Sequence, residues 1–248
     1  MKTIWTIAKR EYDNYFNSPL AYVIAFAILL PMGIYFALIM WFSAQQAFYG
    51  GAPAPDSTPL NWLFAFLMIF LSPALTMRLL SDEARMGTLE LLLTSPVRDF
   101  ELVAGKWLGA MMFIFSILLM TLIYPIIMNN FVTPGIDWIL VLSSYIGLVL
   151  VCSAMLALGV GISAIFTNQF AAFFVTLGLF FFLWFMIGLP AGYLPEGGGI
   201  LNYLSLSTHF SENMNFGSIQ LGDIAYYLSL TALGLFTGTT AIEIRRWR

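Results

Sequence analysis

Charge is scarce in this sequence: 9% of its 248 residues are Asp, Glu, Lys or Arg, whereas 60% are hydrophobic. Soluble domains carry roughly 25% charged residues, and one core of this size cannot hide so much apolar surface from water. Lipid is therefore predicted to surround much of the chain. The net charge of −3 leaves no basic surface of the kind that binds nucleic acid, so a nucleic-acid partner is excluded.

Cysteine and histidine each occur once, as Cys152 and His209. A single cysteine excludes a disulfide within the chain, and neither residue has the companions that a metal site needs. Cys152 is predicted to be a small packing residue and His209 to be structural. The long apolar runs also lack internal Asp, Glu and His, which argues against an ion-coupled carrier and against an intramembrane enzyme.

Six apolar stretches are long enough to cross the hydrocarbon core of a bilayer, which takes about 20 helical residues. They are residues 20–42, 60–79, 107–128, 138–165, 170–189 and 224–242. Asp137 and Asp223 are the predicted N-caps of the fourth and sixth stretches. The predicted fold class is therefore an all-α integral membrane protein with six transmembrane helices, forming one transmembrane domain over residues 1–248.

The ten Lys and Arg residues form three clusters that can all lie on one side of a membrane. The connections after the first, third and fifth spans contain none of them. By the positive-inside rule, the clusters and both termini are cytoplasmic and these three connections are external. The clusters comprise Lys2, Lys9 and Arg10; Arg78, Arg85, Arg98 and Lys106; and Arg245, Arg246 and Arg248.

Two segments outside the spans are predicted to be structured. Residues 1–19 form an interfacial amphipathic helix with Trp5, Ala8 and Tyr15 on its apolar face. A plain membrane anchor and a functional element fit this pattern equally well. The external segment 190–223 contains a moderately apolar stretch that is too short and too polar to span, so it is predicted to be re-entrant or to close the outer face.

Small residues recur at helical spacing inside the spans. Ser153, Ala157 and Gly161 form one stripe, and Gly-x-x-x-Gly pairs occur at residues 105–109 and 234–238. Such stripes permit close contact between helices. Packing within one subunit and packing between subunits both remain open.

The cytoplasmic loop of residues 81–104 has the most distinctive sequence. Gly87 permits a break, and residues 88–94 can then form two helical turns with Leu89, Leu92 and Leu93 on one face. Pro96 ends this short helix. A leucine-faced helix flanked by charge fits a groove on a soluble partner, and it can equally lie on lipid. The residues alone leave both interpretations open.

The spacing Glu-x-x-x-Gly-Thr-Leu-Glu-Leu-Leu-x-x-x-Pro, followed by Gly-Lys at the start of the next span, resembles the permease subunits of type-2 ABC exporters. The gliding-motility-type permeases are the subgroup that it resembles most. The outer segment before the last span is similar to the same family as well. The matching residues are Glu83, Gly87, Thr88, Leu89, Glu90, Leu91, Leu92, Pro96, Gly105 and Lys106.

The resemblance implies two six-span permease units, identical or homologous, in a bacterial cytoplasmic (inner) membrane, with two separate cytoplasmic ABC ATPases beneath them. It also implies that the 81–104 loop holds the ATPase-coupling element. The residues it assigns to coupling are Glu83, Arg85, Gly87, Thr88, Leu89, Glu90, Leu92 and Leu93. This chain has no phosphate-binding loop, so ATP and Mg are expected in the partner ATPase, and the chain itself is expected to hold no cofactor and to be no enzyme.

The sequence is consistent with two functions. The leading one is the membrane permease subunit of an ATP-driven exporter. A pathway lined by Phe, Met, Trp and small residues would favour a lipid-like or amphipathic cargo, and the same residues fit a surface that simply faces lipid equally well. The alternative is a scaffold that transports nothing and transmits ATPase motion to a cell-envelope or motility apparatus. Both use the same contact with an ATPase, and membrane lipid is a partner in either case.

Overall fold

The computed structural model describes residues 2–48, 55–87, 97–132, 135–188 and 198–246, and these residues form helices without any strand. The first four helices are α1 (Lys2–Asn17), α2 (Pro19–Phe48), α3 (Thr58–Thr76) and α4 (Ser81–Arg85). The next four are α5 (Asp99–Thr121), α6 (Ile123–Phe131), α7 (Trp138–Ile165) and α8 (Gln169–Phe181), which a π-helical turn extends over Phe182–Met186. After them come α9 (Gly198–Leu204), α10 (Leu206–Thr208), two further helical turns over His209–Asn213 and Met214–Phe216, and α11 (Leu221–Arg246).

Five helical segments of the described chain are long and apolar enough to cross a membrane: Pro19–Gln46, Thr58–Arg85, Asp99–Phe131, Trp138–Ile165 and Gln169–Met186. They contain the first four predicted spans and residues 170–186 of the fifth, whose predicted last residue, Leu189, lies outside the described residues. The third differs most from its prediction, because its helix begins at Asp99 and is interrupted at Leu122. Pro125 lies one turn further on and has no N–H to bond the carbonyl of Thr121, which accounts for the break between α5 and α6.

The sixth predicted span also forms a helix, α11, but it is not among those five segments. Thr, Gly, Ser and Tyr residues dilute its apolar character. The predicted cap at Asp223 is wrong, since α11 begins at Leu221 and the Asp223 carboxylate turns inward to His209. The cap at Asp137 is confirmed, because its carboxylate accepts hydrogen bonds from the backbone N–H groups of Ile139 and Leu140.

Helix α7 is the centre of the bundle, and α11 packs along it at very short range. A Cβ added to Gly234 would lie 2.4 Å from the carbonyl carbon of Ala157, and one added to Gly161 would lie 2.6 Å from the oxygen of Gly234. The Ser153 and Thr231 hydroxyls are 3.1 Å apart at the same contact. The small-residue stripe of the fourth span therefore packs within one subunit.

The two ends of the bundle carry different groups. At one end lie α4, the start of α5 and the ends of α7 and α11, where Arg245 donates to the carbonyl of Ile165 and Arg246 pairs with Asp99. We call this the loop-side end, because both borders of residues 88–96 lie there. At the far end, the segment 206–216 lies against the start of α7.

The far-end segment reaches some way along the bundle. Phe210 and Met214 pack onto Gly147, and the Ser143 hydroxyl donates to the carbonyl of Met214 over 2.7 Å. Gly147 lies nine helical rises after Trp138, so the segment covers roughly 14 Å of α7. Asn215 also donates to the carbonyl of Thr58 over 3.1 Å and so ties the segment to α3.

The α7–α11 contact generates a stability prediction. Gly234→Ala should lower the free energy of unfolding by about 1–3 kcal/mol, because its new methyl group meets backbone atoms that only a shift of the helices can relieve. Thermal unfolding of the purified protein in one detergent measures this. The matched control is Gly178→Ala in α8, where a Cβ meets nothing within 4 Å. An equal loss in both variants would contradict the close contact.

Candidate functional site

Helix α1 packs directly on α5 at the loop-side end. A Cβ on Gly105 would lie 2.7 Å from Cβ of Ile7, and one on Gly109 would lie 2.9 Å from the carbonyl oxygen of Ala8. The glycine pair therefore gives α1 its place against the third span. Of the predicted apolar face of α1, Ala8 and Tyr15 are buried against the protein, whereas Trp5 is exposed.

A buried lysine joins three segments beside that contact. The ammonium Nζ of Lys106 on α5 lies 3.0 Å from Oε1 of Glu11 on α1 and 2.8 Å from Oε1 of Glu83 on α4. The side chain of Lys106 is 2% exposed, and those of Glu11 and Glu83 are 11% and 16% exposed. We call Glu11, Glu83 and Lys106 the Lys106 cluster.

The charges of the Lys106 cluster explain its cohesion. An ammonium removed from water needs opposite charges close by, and two carboxylates satisfy two of its three donors. Two anions around one cation leave a net charge of −1. The guanidinium of Arg10, 3.7 Å from Glu11, balances that charge from the rim. Ion pairs therefore hold α1, α4 and α5 to one another, because each of these helices supplies one of the three charged groups.

Helix α4 has a second attachment, to α7. The hydroxyl oxygen of Ser163 accepts from the backbone N–H groups of Leu80 and Ser81, each over 3.2 Å, and the hydroxyl donates to the carbonyl of Met77. These N–H groups would otherwise lack partners at the start of the helix. The Asp82 carboxylate also accepts from the side-chain amide of Gln169 at the start of α8. Helix α4 is thus joined to α5, α7 and α8.

The predicted coupling residues divide into two groups. Glu83 belongs to the Lys106 cluster, Arg85 is exposed, and Gly87 ends the α4 turn with φ of +70°, the left-handed geometry that favours glycine. The break expected at Gly87 is confirmed. The other predicted coupling residues lie outside the described residues: Thr88, Leu89, Glu90, Leu92 and Leu93.

The sequence did not predict the roles of two residues of this site, Glu11 and Ser163. Glu11 lies three residues after Ala8 and four before Tyr15, so it falls on the buried face of α1. An acidic residue on an apolar helix face indicates that a cation is buried beside it. Lys106, at the start of a span, is that cation. Ser163 carried no such signal, because a serine near the end of an apolar span ordinarily serves packing.

A second polar cluster closes the far end. Nδ1 of His209 lies 2.6 Å from Oδ1 of Asp223, and Nε2 lies 2.7 Å from the carbonyl oxygen of Tyr203. A carbonyl only accepts, so Nε2 carries a proton, and the Nδ1–Oδ1 pair shares another. Asn213 donates to both oxygens of Asp223. His209 is structural here, as predicted: it fastens the far-end segment to α11.

Comparison with known proteins supports the resemblance to ABC permeases that the sequence motifs indicated. The family model of ABC-2 family transporter proteins matches residues 5–198. A curated relative from Pseudomonas aeruginosa, described as "Probable ABC transporter permease protein NosY", is 35% identical over 112 residues, which are 44% of this chain and 39% of that protein. The chain thus matches less than half of that relative's length.

The Lys106 cluster generates the next prediction. Lys106→Met should destabilise the protein by about 3–5 kcal/mol, because it leaves two buried carboxylates without their cation. Thermal unfolding in detergent is the measurement, with Lys9→Met on the exposed face of α1 as the matched control.

A triple variant tests the electrostatic cause. Lys106→Met combined with Glu11→Gln and Glu83→Gln should recover a large part of the loss, since no buried charge is left without a partner. If the triple variant is less stable than Lys106→Met alone, or if Lys9→Met costs as much, the cluster does not have the role described.

Proposed function

This chain belongs to the ABC-2 family of transporter proteins, and on that premise we propose that it is the membrane permease subunit of an ATP-driven ABC exporter. The observation that carries the proposal is the Lys106 cluster. It links the segment that precedes residues 88–96 to the third span and to the N-terminal helix. A force applied to the 81–104 loop would be transmitted to two membrane elements at once.

We propose that α11 is the sixth span. It has 26 residues, which make a helix about 39 Å long, enough to cross a hydrocarbon core of about 30 Å. It packs lengthwise on α7, the most deeply buried span, with Asp223 at the far end and Arg246 at the loop-side end. Because α11 runs beside α7 from one end to the other, it would cross the membrane if α7 does.

The proposed orientation places the loop-side end in the cytoplasm. The described basic residues of all three clusters lie at that end, including Arg10, Lys106 and Arg246. The positive-inside rule favours that side for them. With six spans, both termini are cytoplasmic and the far-end segment over residues 206–216 faces outward, where its depth along α7 suits a re-entrant element.

The proposed mechanism starts at a separate ATPase. ATP-driven closure of two ATPases would push on residues 87–94, and the push would pass through Glu83 to Lys106 and through Ser163 to α7. Trp107, next to Lys106, donates to the carbonyl of Ser153 over 3.1 Å and so joins α5 to the middle of α7. The third and fourth spans would then move together and change access between the two faces.

A second permease subunit has room to bind. In the most apolar stretch of each span, 17% of the residues of α2 and 22% of those of α8 are buried. The corresponding share in α7 is 78%. The remaining surface of α2 and α8 is apolar and must meet lipid or another subunit. We propose that a second permease, identical or homologous, covers part of it. The apolar spans favour a lipid-like or amphipathic cargo, and the gliding-motility-type subgroup stays a prediction from motif spacing.

Coupling is tested at Leu91, within the proposed coupling helix. Leu91→Pro should abolish stimulation of the partner ATPase and transport while leaving insertion and yield intact, because proline removes a helix-interior hydrogen bond. The matched control, Leu91→Ala, keeps a good helix former. ATP hydrolysis by the reconstituted complex and cargo movement in vesicles are the two measurements.

The outcomes separate the functions. Full ATPase stimulation and transport in Leu91→Pro would contradict the coupling assignment. Stimulated hydrolysis without movement of any lipid in the wild-type complex would instead favour the scaffold that drives an envelope or motility apparatus.

A further inference from the structure

A cavity of about 250 Å³ with both polar and apolar lining lies against the Lys106 cluster, where α1, the start of α2 and the end of α3 meet. Its polar rim includes Arg10 and Asn14 of α1 and Arg78 of the turn after α3. Its inner wall includes Leu20, Leu75 and Leu79. One opening therefore combines cationic and amide groups with apolar side chains at the level where the spans begin.

The cations of this cavity exceed its anions. Arg10, Arg78 and Lys106 contribute three positive charges, and Glu11 and Glu83 contribute two negative ones. Both carboxylates bind the Lys106 ammonium, at 3.0 and 2.8 Å. Arg78 is exposed and makes no ion pair within the described part of the chain. An anion that enters the cavity therefore meets a guanidinium that no carboxylate of the described residues occupies.

Tyr15 lines the same cavity and supplies an independent sign of a ligand. Its side chain is 9% exposed and stacks on Phe113, yet its hydroxyl has no hydrogen-bond partner among the described residues. A buried hydroxyl without a partner is costly, so an acceptor is expected there. Burial, and then the charge of Glu11, raise the pKa of Tyr15 well above its usual range, which keeps the hydroxyl protonated and able to donate.

We propose that this cavity binds the phosphate group of an anionic membrane phospholipid from the leaflet at the loop-side end. Arg78 and Arg10 would bind the phosphate oxygens as charge-assisted donors, and the Tyr15 hydroxyl would donate to one of them. The leucine wall would contact the first carbons of the acyl chains. Basic pockets between spans on the cytoplasmic side suit such headgroups, so the choice of leaflet rests on the orientation proposed above.

The leucine wall favours a lipid over an acidic side chain of a partner protein. Leu20 lies in the first turn of α2 and Leu75 in the last turn of α3, so the leucine wall lies where two apolar spans end. A carboxylate of a soluble partner would leave this wall facing water. Lipid bound here would also contact α1, α3 and α4 together and so stabilise the arrangement around Lys106.

Native mass spectrometry of the full chain tests the proposal. Purified protein in neutral detergent is titrated with phosphatidylglycerol or phosphatidylcholine, and bound lipid is counted per chain. Wild type should retain phosphatidylglycerol preferentially. Arg10→Gln combined with Arg78→Gln should weaken that retention roughly tenfold or more, because charge-assisted hydrogen bonds are lost. Lys9→Gln, beside Arg10 but outside the cavity, is the matched control and should bind as wild type does.

Further arms distinguish the sources of the phosphate. Inorganic phosphate in excess should fail to displace phosphatidylglycerol, since it lacks acyl chains for the leucine wall. Tyr15→Phe should weaken phosphatidylglycerol binding severalfold while leaving the protein folded. Equal binding of both lipids, equal loss in Lys9→Gln, or displacement by free phosphate would overturn the proposal. So would unchanged lipid binding in the double arginine variant with weakened ATPase association, which would make the cavity a protein-docking surface.

Discussion

The buried ammonium of Lys106 is the constraint on which the loop-side end depends. It lies where a lone charge is strongly unfavourable, and its two carboxylates come from different segments of the chain, Glu11 from α1 and Glu83 from α4. Neither segment can leave without exposing an unpaired charge to a poorly hydrated environment. The third span, the N-terminal helix and the start of the 81–104 loop therefore behave as one unit, although 95 residues separate Glu11 from Lys106.

Close backbone packing makes this pairing possible. Because Gly109 has no side chain, the backbone of α1 comes near enough for Glu11 to lie against α5, where a Cβ would meet that of Glu11 at 2.7 Å. The same device acts at Gly161 and Gly234, which bring α11 onto α7. Glycines in membrane helices are often regarded as packing residues only. Here the Gly105–Gly109 pair also brings Glu11 close enough to bind Lys106. The ion pair at the loop-side end therefore depends on the close packing of α1 on α5.

Much of this architecture was predictable from periodicity and charge. Long apolar runs predicted the spans, because lipid requires them, and the start and end of α7 agree with the prediction at both residues. The misassigned cap at Asp223 shows the limit of local rules. A carboxylate near a helix start ordinarily caps it, but His209, 14 residues away, offers a stronger partner. The link from Glu11 to Lys106 escaped prediction for the same reason: it depends on tertiary contact between segments that no local pattern relates.

The positions of the buried charges suggest how the bundle can move without losing its fold. Among the described residues, buried ionic groups occur at the two ends: the Lys106 cluster at one, and His209 with Asp223 at the other. Between them the helices meet through apolar side chains, hydroxyls and close glycine contacts, and a shift of these contacts leaves no charge without a partner. A motion that keeps both end clusters intact must therefore tilt or slide the helices between them. In the proposed transport motion, both end clusters would therefore stay intact while the uncharged middle rearranges.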